Sequence, residues 1–248
     1  MDDPRTEPKG GDLVSRHRLS TRLWHWINAL TIFIMLMSGM MILNAHPRLY
    51  WGEFGANPDA AWLSLGSMES VPFPGWLTIP STYSLADARL WHLAFAWVLM
   101  LGAAFYLLWS LINGHLWRDL LPSREQWRPS HVWHDIKEHA RLRFPTGIEA
   151  LNYNVLQKFA YLGVLLVLLP LVILTGLAMS PGFDGATHIT ALFGGRQSAR
   201  SIHFLCASGF ALFIAVHLVM VVLAGPINEV RSMISGRYRL PGKKESRP

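Results

Sequence analysis

The sequence predicts an all-α integral membrane protein, a four-transmembrane-helix bundle with the N and C termini cytoplasmic. Three observations carry this. Of 248 residues, 51% are hydrophobic and 15% charged, against about 25% charged in an ordinary soluble domain. Four runs, 23–43, 90–117, 159–183 and 201–227, contain no Asp, Glu, Lys or Arg. Each reaches the about 20 residues that a helix needs to cross a bilayer core, where a barrel strand takes only about 9–11. Finally, 18 of the 22 Lys and Arg fall in residues 1–22, 118–158 and 228–248, and only Arg48, Arg89, Arg196 and Arg200 lie in the other two connections. Basic segments stay in the cytoplasm, and these alternate as an even number of spans requires.

Taken in order, residues 1–22 form a cytoplasmic N-terminal segment and 23–227 the helical domain. The first run reads as an uncleaved span: it follows a polar leader, exceeds a signal-peptide core in length and has no A-x-A site behind it. The long outer connection 44–89 carries Trp51, Trp62 and Trp76. It is either an interfacial aromatic belt or a docking surface for an outer partner. The inner segment 118–150 mixes Trp127, Trp133, His131, His134 and His139 with both charges, as a surface-lying amphipathic helix does. Pro170 in the third run is tolerable because neighbouring helices re-satisfy freed backbone groups. Residues 228–248 form a basic cytoplasmic tail, expected to be solvated from Ser235. The formal charge of +6 records topology, and no nucleic-acid partner is expected. Cys206 is the single cysteine, which excludes an internal disulfide, Cys-based metal sites and covalent C-x-x-C-H haem attachment.

Four histidines lie within spans: His25, His92, His203 and His217. An ionisable group there is a functional candidate, because lipid supplies its nitrogens with no partner. His203 and His217 are 14 residues apart, within about 40° of whole turns, so they share a face about 21 Å apart along the axis. The second span runs inward and puts His92 level with His203; the first runs outward and puts His25 on the inner side with His217. A zinc site would want four ligands, whereas a haem needs only two axial imidazoles. Two pairs therefore imply two stacked haem b groups, with iron ligated by His92 and His203 and by His25 and His217. Phe210, midway between the two histidines of the fourth span, is a spacer between macrocycles or a plain core residue. Arg196 and Arg200 suit haem propionates and equally suit plain flanking charge. His115 is a reserve inner ligand.

The helix pattern, together with Arg22-Leu23-Trp24-His25-Trp26, Tyr153-Asn154-Val155-Leu156-Gln157-Lys158, Arg200-Ser201-Ile202-His203 and Ala224-Gly225-Pro226, resembles a known family. These are the di-haem cytochrome b subunits of nickel–iron hydrogenases and formate dehydrogenase-N (its gamma subunit), cytochrome b561-like proteins. The nearest branch is thiosulfate-reductase-type cytochrome b, which often accompanies an exported molybdopterin oxidoreductase. The resemblance covers about residues 15–240. It implies an outer haem on His92 and His203, an inner haem on His25 and His217, and a quinone near the latter. Asn154 would contact that quinone and Lys158 would act as a proton or charge partner. Leu156 stands where the gamma subunit has Gly, and the outer connection is longer than in that subunit.

The resulting expectation is a multi-pass electron-transfer subunit of the bacterial inner membrane. It would link an exported, periplasmic-side oxidoreductase, molybdopterin-dependent, to the membrane quinone pool, in either direction. The alternatives are a stand-alone cytochrome b561-like quinol oxidoreductase and a hydrogenase-type cytochrome b anchor. A homo-oligomer is compatible with the sequence. A histidine-lined transporter would predict no Soret band, and a passive anchor would leave four depth-matched histidines without a purpose.

Overall fold

The computed structural model describes residues 10–56, 59–66, 71–114, 121–123, 126–141 and 155–240. Its helices are α1 (Leu19–Ala45), α2 (Leu85–Ile112), α3 (Pro129–Ala140), α4 (Val155–Ala178), α5 (Pro181–Thr187), α6 (Arg196–Ala224) and α7 (Pro226–Ser235). Helices α1, α2, α4 and α6 are long and apolar enough to span a membrane.

Their ends differ from the charge-free runs, because caps and turn residues set helix boundaries where apolarity does not. Helix α2 starts at Leu85, where the Ser84 Oγ accepts the Asp87 N–H at 3.3 Å. It stops at Ile112 rather than Trp117, before Gly114 with φ +72°. Helix α4 ends at Ala178 and not Phe183, since Pro181 opens a new helix. Helix α6 ends at Ala224 because Gly225 turns at φ +105° ahead of Pro226. Within α4, Val164–Leu168 widen into a π turn, and the Leu169 N–H reaches back to the Val164 carbonyl. Pro170 explains it: the ring has no N–H and crowds the carbonyl four residues back, which one wide turn relieves. Leu168 in that turn reaches Gly209 of α6, where a Cβ would come within 3.2 Å.

The chain divides into two compact units. One consists of Asn28–His115 and Leu162–Phe213. Its core joins Leu99 and Ala103 of α2, Leu169 and Val172 of α4, and Cys206 and Phe210 of α6. The connection 44–89 is built onto this unit. Strand β2 (Arg48–Leu49) pairs antiparallel with β3 (Leu63–Ser64). The Asn44 amide holds both the N–H and the carbonyl of Phe73, at 3.0 and 2.9 Å. Ser201, fully buried at the start of α6, donates to the Tyr50 carbonyl at 2.6 Å and accepts the Trp62 indole N–H at 2.9 Å. The Gly52 N–H donates to Ser198 Oγ, and the Gly52 carbonyl accepts from the N–H of Gln197 and Ser198. Trp51 stacks on Trp62, while Trp76 is 76% exposed.

The other unit consists of Met1–Ile27, Leu116–Tyr161 and Ile214–Pro248. Strand β1 (Leu13–Ser15) runs antiparallel to β4 (Arg237–Arg239), with Val14 opposite Tyr238. Arg16 grips both oxygens of the Glu229 carboxylate at 2.9 and 3.0 Å and covers the Tyr238 ring. The chain after Ser235 is thus folded as far as Leu240, with Tyr238 and Leu240 buried, where the sequence suggests a solvated end. The apolar faces of Tyr238 and Leu240 explain the difference. Helix α3 supplies the amphipathic piece of 118–150, with Trp133 exposed beside Lys137.

Replacing Ser201 by Ala leaves the Tyr50 carbonyl and the Trp62 indole without their shared partner. That change should cost about 1–3 kcal/mol, read as a lowered Tm of the detergent-solubilised protein; an unchanged Tm would show that the clamp contributes nothing.

Candidate functional site

The first unit brings His92 of α2 against His203 of α6, with ring centroids 6.1 Å apart and planes at 60°. Each ring is held by a hydroxyl and a glycine from a third helix. Ser38 Oγ of α1 lies 3.0 Å from His92 Nδ1, and Thr175 Oγ1 of α4 lies 3.1 Å from His203 Nδ1. A Cβ at Gly39 would touch His92 Cε1 at 3.5 Å, and one at Gly176 would touch His203 Cε1 at 3.4 Å. Ile32, Met35, Leu99, Val172 and Phe210 line an apolar cavity with the two histidines. Phe210 also belongs to the buried core.

In the second unit His25 of α1 faces His217 of α6, with centroids 6.4 Å apart and planes at 53°. Trp26 meets the His25 ring edge-on, and its indole N–H donates to the Met233 carbonyl at 3.1 Å. His25 Nδ1 is buried with no hydrogen-bond partner among the described residues. His17 lies nearby; burial, then the Arg16 guanidinium, hold its imidazole below the ordinary histidine value.

The donor set can be tested against a haem. Two imidazoles on opposite sides of one metal, each bonded at about 2 Å, place their centroids about 6 Å apart. Both observed separations meet this, and no group of three or more His, Cys, Asp or Glu among the described residues suits a bare metal ion. The residues fit a two-imidazole haem. The sequence profile of prokaryotic cytochrome b561 matches residues 16–236.

The chain belongs to the prokaryotic cytochrome b561 family. It is similar to a protein of Azospira oryzae named as a protein-methionine-sulfoxide reductase subunit, YedZ1, at 26% identity over 82% of this chain and 87% of the relative. A protein of Azotobacter vinelandii named as a Ni/Fe-hydrogenase B-type cytochrome subunit is 24% identical over 92% of this chain and 88% of its own. The Escherichia coli protein named as cytochrome YdhU is 27% identical over 92% of this chain and 76% of its own. This cytochrome is therefore a multi-pass protein of the bacterial inner membrane, and its cofactor is haem b.

The remaining candidates of this cytochrome fall as follows. Arg200 donates through both Nη atoms to backbone carbonyls, those of Arg48, at 3.1 Å, and His46. Close by in sequence, the Tyr50 hydroxyl and Gln197 Oε1 are buried without a partner among the described residues. Arg196 is the weakest of the influences on Asp184, whose carboxyl is held below the usual range first by the Thr190 N–H and then by the Thr190 hydroxyl. Lys158 donates to Gln126 Oε1 at 3.2 Å and to the Leu121 carbonyl at 3.4 Å, so the ammonium has the carbonyl partnership that a membrane-edge position demands. Asn154 and His115 lie outside the described residues.

Sequence reasoning missed Ser38, Gly39, Thr175 and Gly176. Their signal was a hydroxyl–glycine pair in each of two spans, Ser38-Gly39 and Thr175-Gly176. Since a Cβ at Gly176 makes only ordinary contact, Gly176→Ala should retain haem while Gly176→Leu displaces the His203 ring. Purified Gly176→Leu should show a haem-to-protein ratio clearly below that of Gly176→Ala; equal ratios would show that the ring does not depend on this approach.

Proposed function

We propose that this cytochrome holds two haem b groups and carries electrons between an exported oxidoreductase and the membrane quinone pool, in either direction. The supporting observation is the pairing of the four span histidines at 6.1 and 6.4 Å. His92 and His203 hold the outer haem; His25 and His217 hold the inner one. Bound haem b supplies one-electron redox chemistry. The chain's own residues fix where that chemistry sits. Leu99, Val172 and Phe210 keep water from the imidazoles of the outer pair. Arg196 and Arg200 offer charge to propionates, and the buried Tyr50 hydroxyl, on the connection 44–89, is a further donor.

The partner is proposed to be molybdopterin-dependent. This follows the resemblance to thiosulfate-reductase-type cytochromes and agrees with the relative named as a reductase subunit. The names of two relatives, from Azotobacter vinelandii and Cupriavidus necator, favour a second reading in which the partner is a hydrogenase. Co-purification of an outer subunit and its metal content separates the two readings, and isolation of an active cytochrome alone favours the stand-alone quinol oxidoreductase. Residues 44–89 are the proposed docking surface. On the cytoplasmic side Asn154 orients the quinone, and Lys158 balances charge there.

Pyridine haemochrome assay should give two haem b per chain. His92→Ala or His203→Ala should reduce this to one, and His25→Ala or His217→Ala should remove the other. A ratio of two that survives all four changes would defeat the ligand assignment. For the quinone, Asn154→Leu removes one hydrogen bond worth on the order of 1 kcal/mol. Quinone reduction should slow several-fold while haem reduction by an outer donor stays fast; unchanged turnover and inhibitor affinity would remove Asn154 from the site.

A further inference from the structure

We infer that Ser38 and Thr175 are positioning residues that lock His92 and His203 in the Nδ1–H tautomer and so tune the outer haem. This rests on the proposal that these two histidines ligate one iron, and it adds a role for two side chains that touch neither metal nor substrate.

The hydrogen-bond geometry leaves one arrangement. Ser38 Oγ lies 2.7 Å from the Ile34 carbonyl, 3.2 Å from the Met35 carbonyl and 3.0 Å from His92 Nδ1. A hydroxyl has one proton to give, and a carbonyl can only accept. If Ser38 gave its proton to the imidazole, its oxygen would face the Ile34 oxygen at 2.7 Å with lone pairs opposed. The proton therefore goes to the carbonyl, and Oγ turns a lone pair to Nδ1, which must carry hydrogen. Thr175 repeats this with its Oγ1 at 2.6 Å from the Leu171 carbonyl, 3.2 Å from the Val172 carbonyl and 3.1 Å from His203 Nδ1. Both residues are 0% exposed, so water does not compete for either oxygen.

A neutral imidazole protonated at Nδ1 presents its free electron pair at Nε2, the form a metal takes. The hydroxyl–glycine pair thus sets both tautomer and ring placement: Ser38 or Thr175 holds Nδ1, and Gly39 or Gly176 lets the ring lie against the helix. The device occurs on α1 for one ligand and on α4 for the other. It is absent at His25, whose buried Nδ1 has no partner among the described residues. Accepting the Nδ1–H bond makes Nε2 a stronger donor, which favours the oxidised iron. The two hydroxyls accordingly lower the reduction potential of the outer haem and leave the inner one alone.

The test uses the full-length cytochrome carrying Ser38→Ala, Thr175→Val or both, with redox titration, low-temperature EPR of the oxidised protein and haem quantification. Each single change should move the outer midpoint potential upward and shift the outer low-spin EPR signal. The double change should move both further, with the inner haem unmoved. Ser38→Thr and Thr175→Ser, which keep a hydroxyl, should restore wild-type values. Unchanged potentials and spectra in the double variant, at full haem content, would overturn the inference. If Ser38→Ala loses the outer haem, Ser38→Thr decides: retention at wild-type potential supports the inference, and loss there too overturns it in favour of packing. His92→Ala separates this from the ligand assignment. Two haems retained in that variant defeat the assignment itself, whereas loss of one, with no effect from the hydroxyl changes, defeats only the tuning role.

Discussion

An imidazole inside a hydrocarbon layer must find partners for both ring nitrogens within the protein, because lipid offers none. That constraint organises this cytochrome. Around His92 and His203 it is met at Nδ1 by hydroxyls of neighbouring helices, and each hydroxyl meets its own obligation by donating to a carbonyl one turn back. The apolar walls then have only a ring and a glycine backbone to accommodate. Around His25 no hydroxyl meets Nδ1 among the described residues, and the ring is placed instead by Trp26, packed edge-on and anchored to Met233.

The second requirement is to fix helices that carry few polar contacts along their length. Here the fixation comes from their ends. The turn around Gly52, the Trp62 indole and the Tyr50 carbonyl all converge on Ser198 and Ser201, just ahead of His203. Arg200 sits among them, tied to the His46 and Arg48 carbonyls. In the other unit, Arg16 with Glu229 and Tyr238 joins the chain before α1 to α7 and to the strand after it. In both units these ties lie at the ends of the spans, and the apolar stretches between them are left to pack.

How much of this the sequence reveals depends on the kind of signal. Charge-free runs of more than 20 residues identify the four spans because no other structure tolerates them in lipid. Helical arithmetic puts His203 and His217 on one face because 3.6 residues per turn is a firm period, and the alternating span directions then pair His92 with His203 and His25 with His217 by depth. Span ends are less legible, since the Ser84 side-chain cap and the turns at Gly114 and Gly225 act through local geometry that hydropathy does not register. The supporting pairs Ser38-Gly39 and Thr175-Gly176 are hidden for another reason. Small and hydroxyl residues serve many purposes in membrane helices, and only the neighbouring ring reveals which purpose applies. The folded chain after Ser235 escapes notice because its basic charges outweigh Tyr238 and Leu240 in any composition window.

The π turn at Val164–Leu168 bears on how this helix tolerates change in length. A π turn carries one residue more than the α-helix around it. Take that residue away and the turn closes to an ordinary α turn, with Gly163 before it and Leu169 after it still in phase. Thr175 would then keep its place against His203, and the helix would meet only the crowding that Pro170 imposes. The same deletion in the regular stretch between Pro170 and Thr175 has no surplus to draw on: it turns one side of the helix by about 100° relative to the other and takes Thr175 off His203. The π turn is thus the place where this helix can lose a residue without losing its phase.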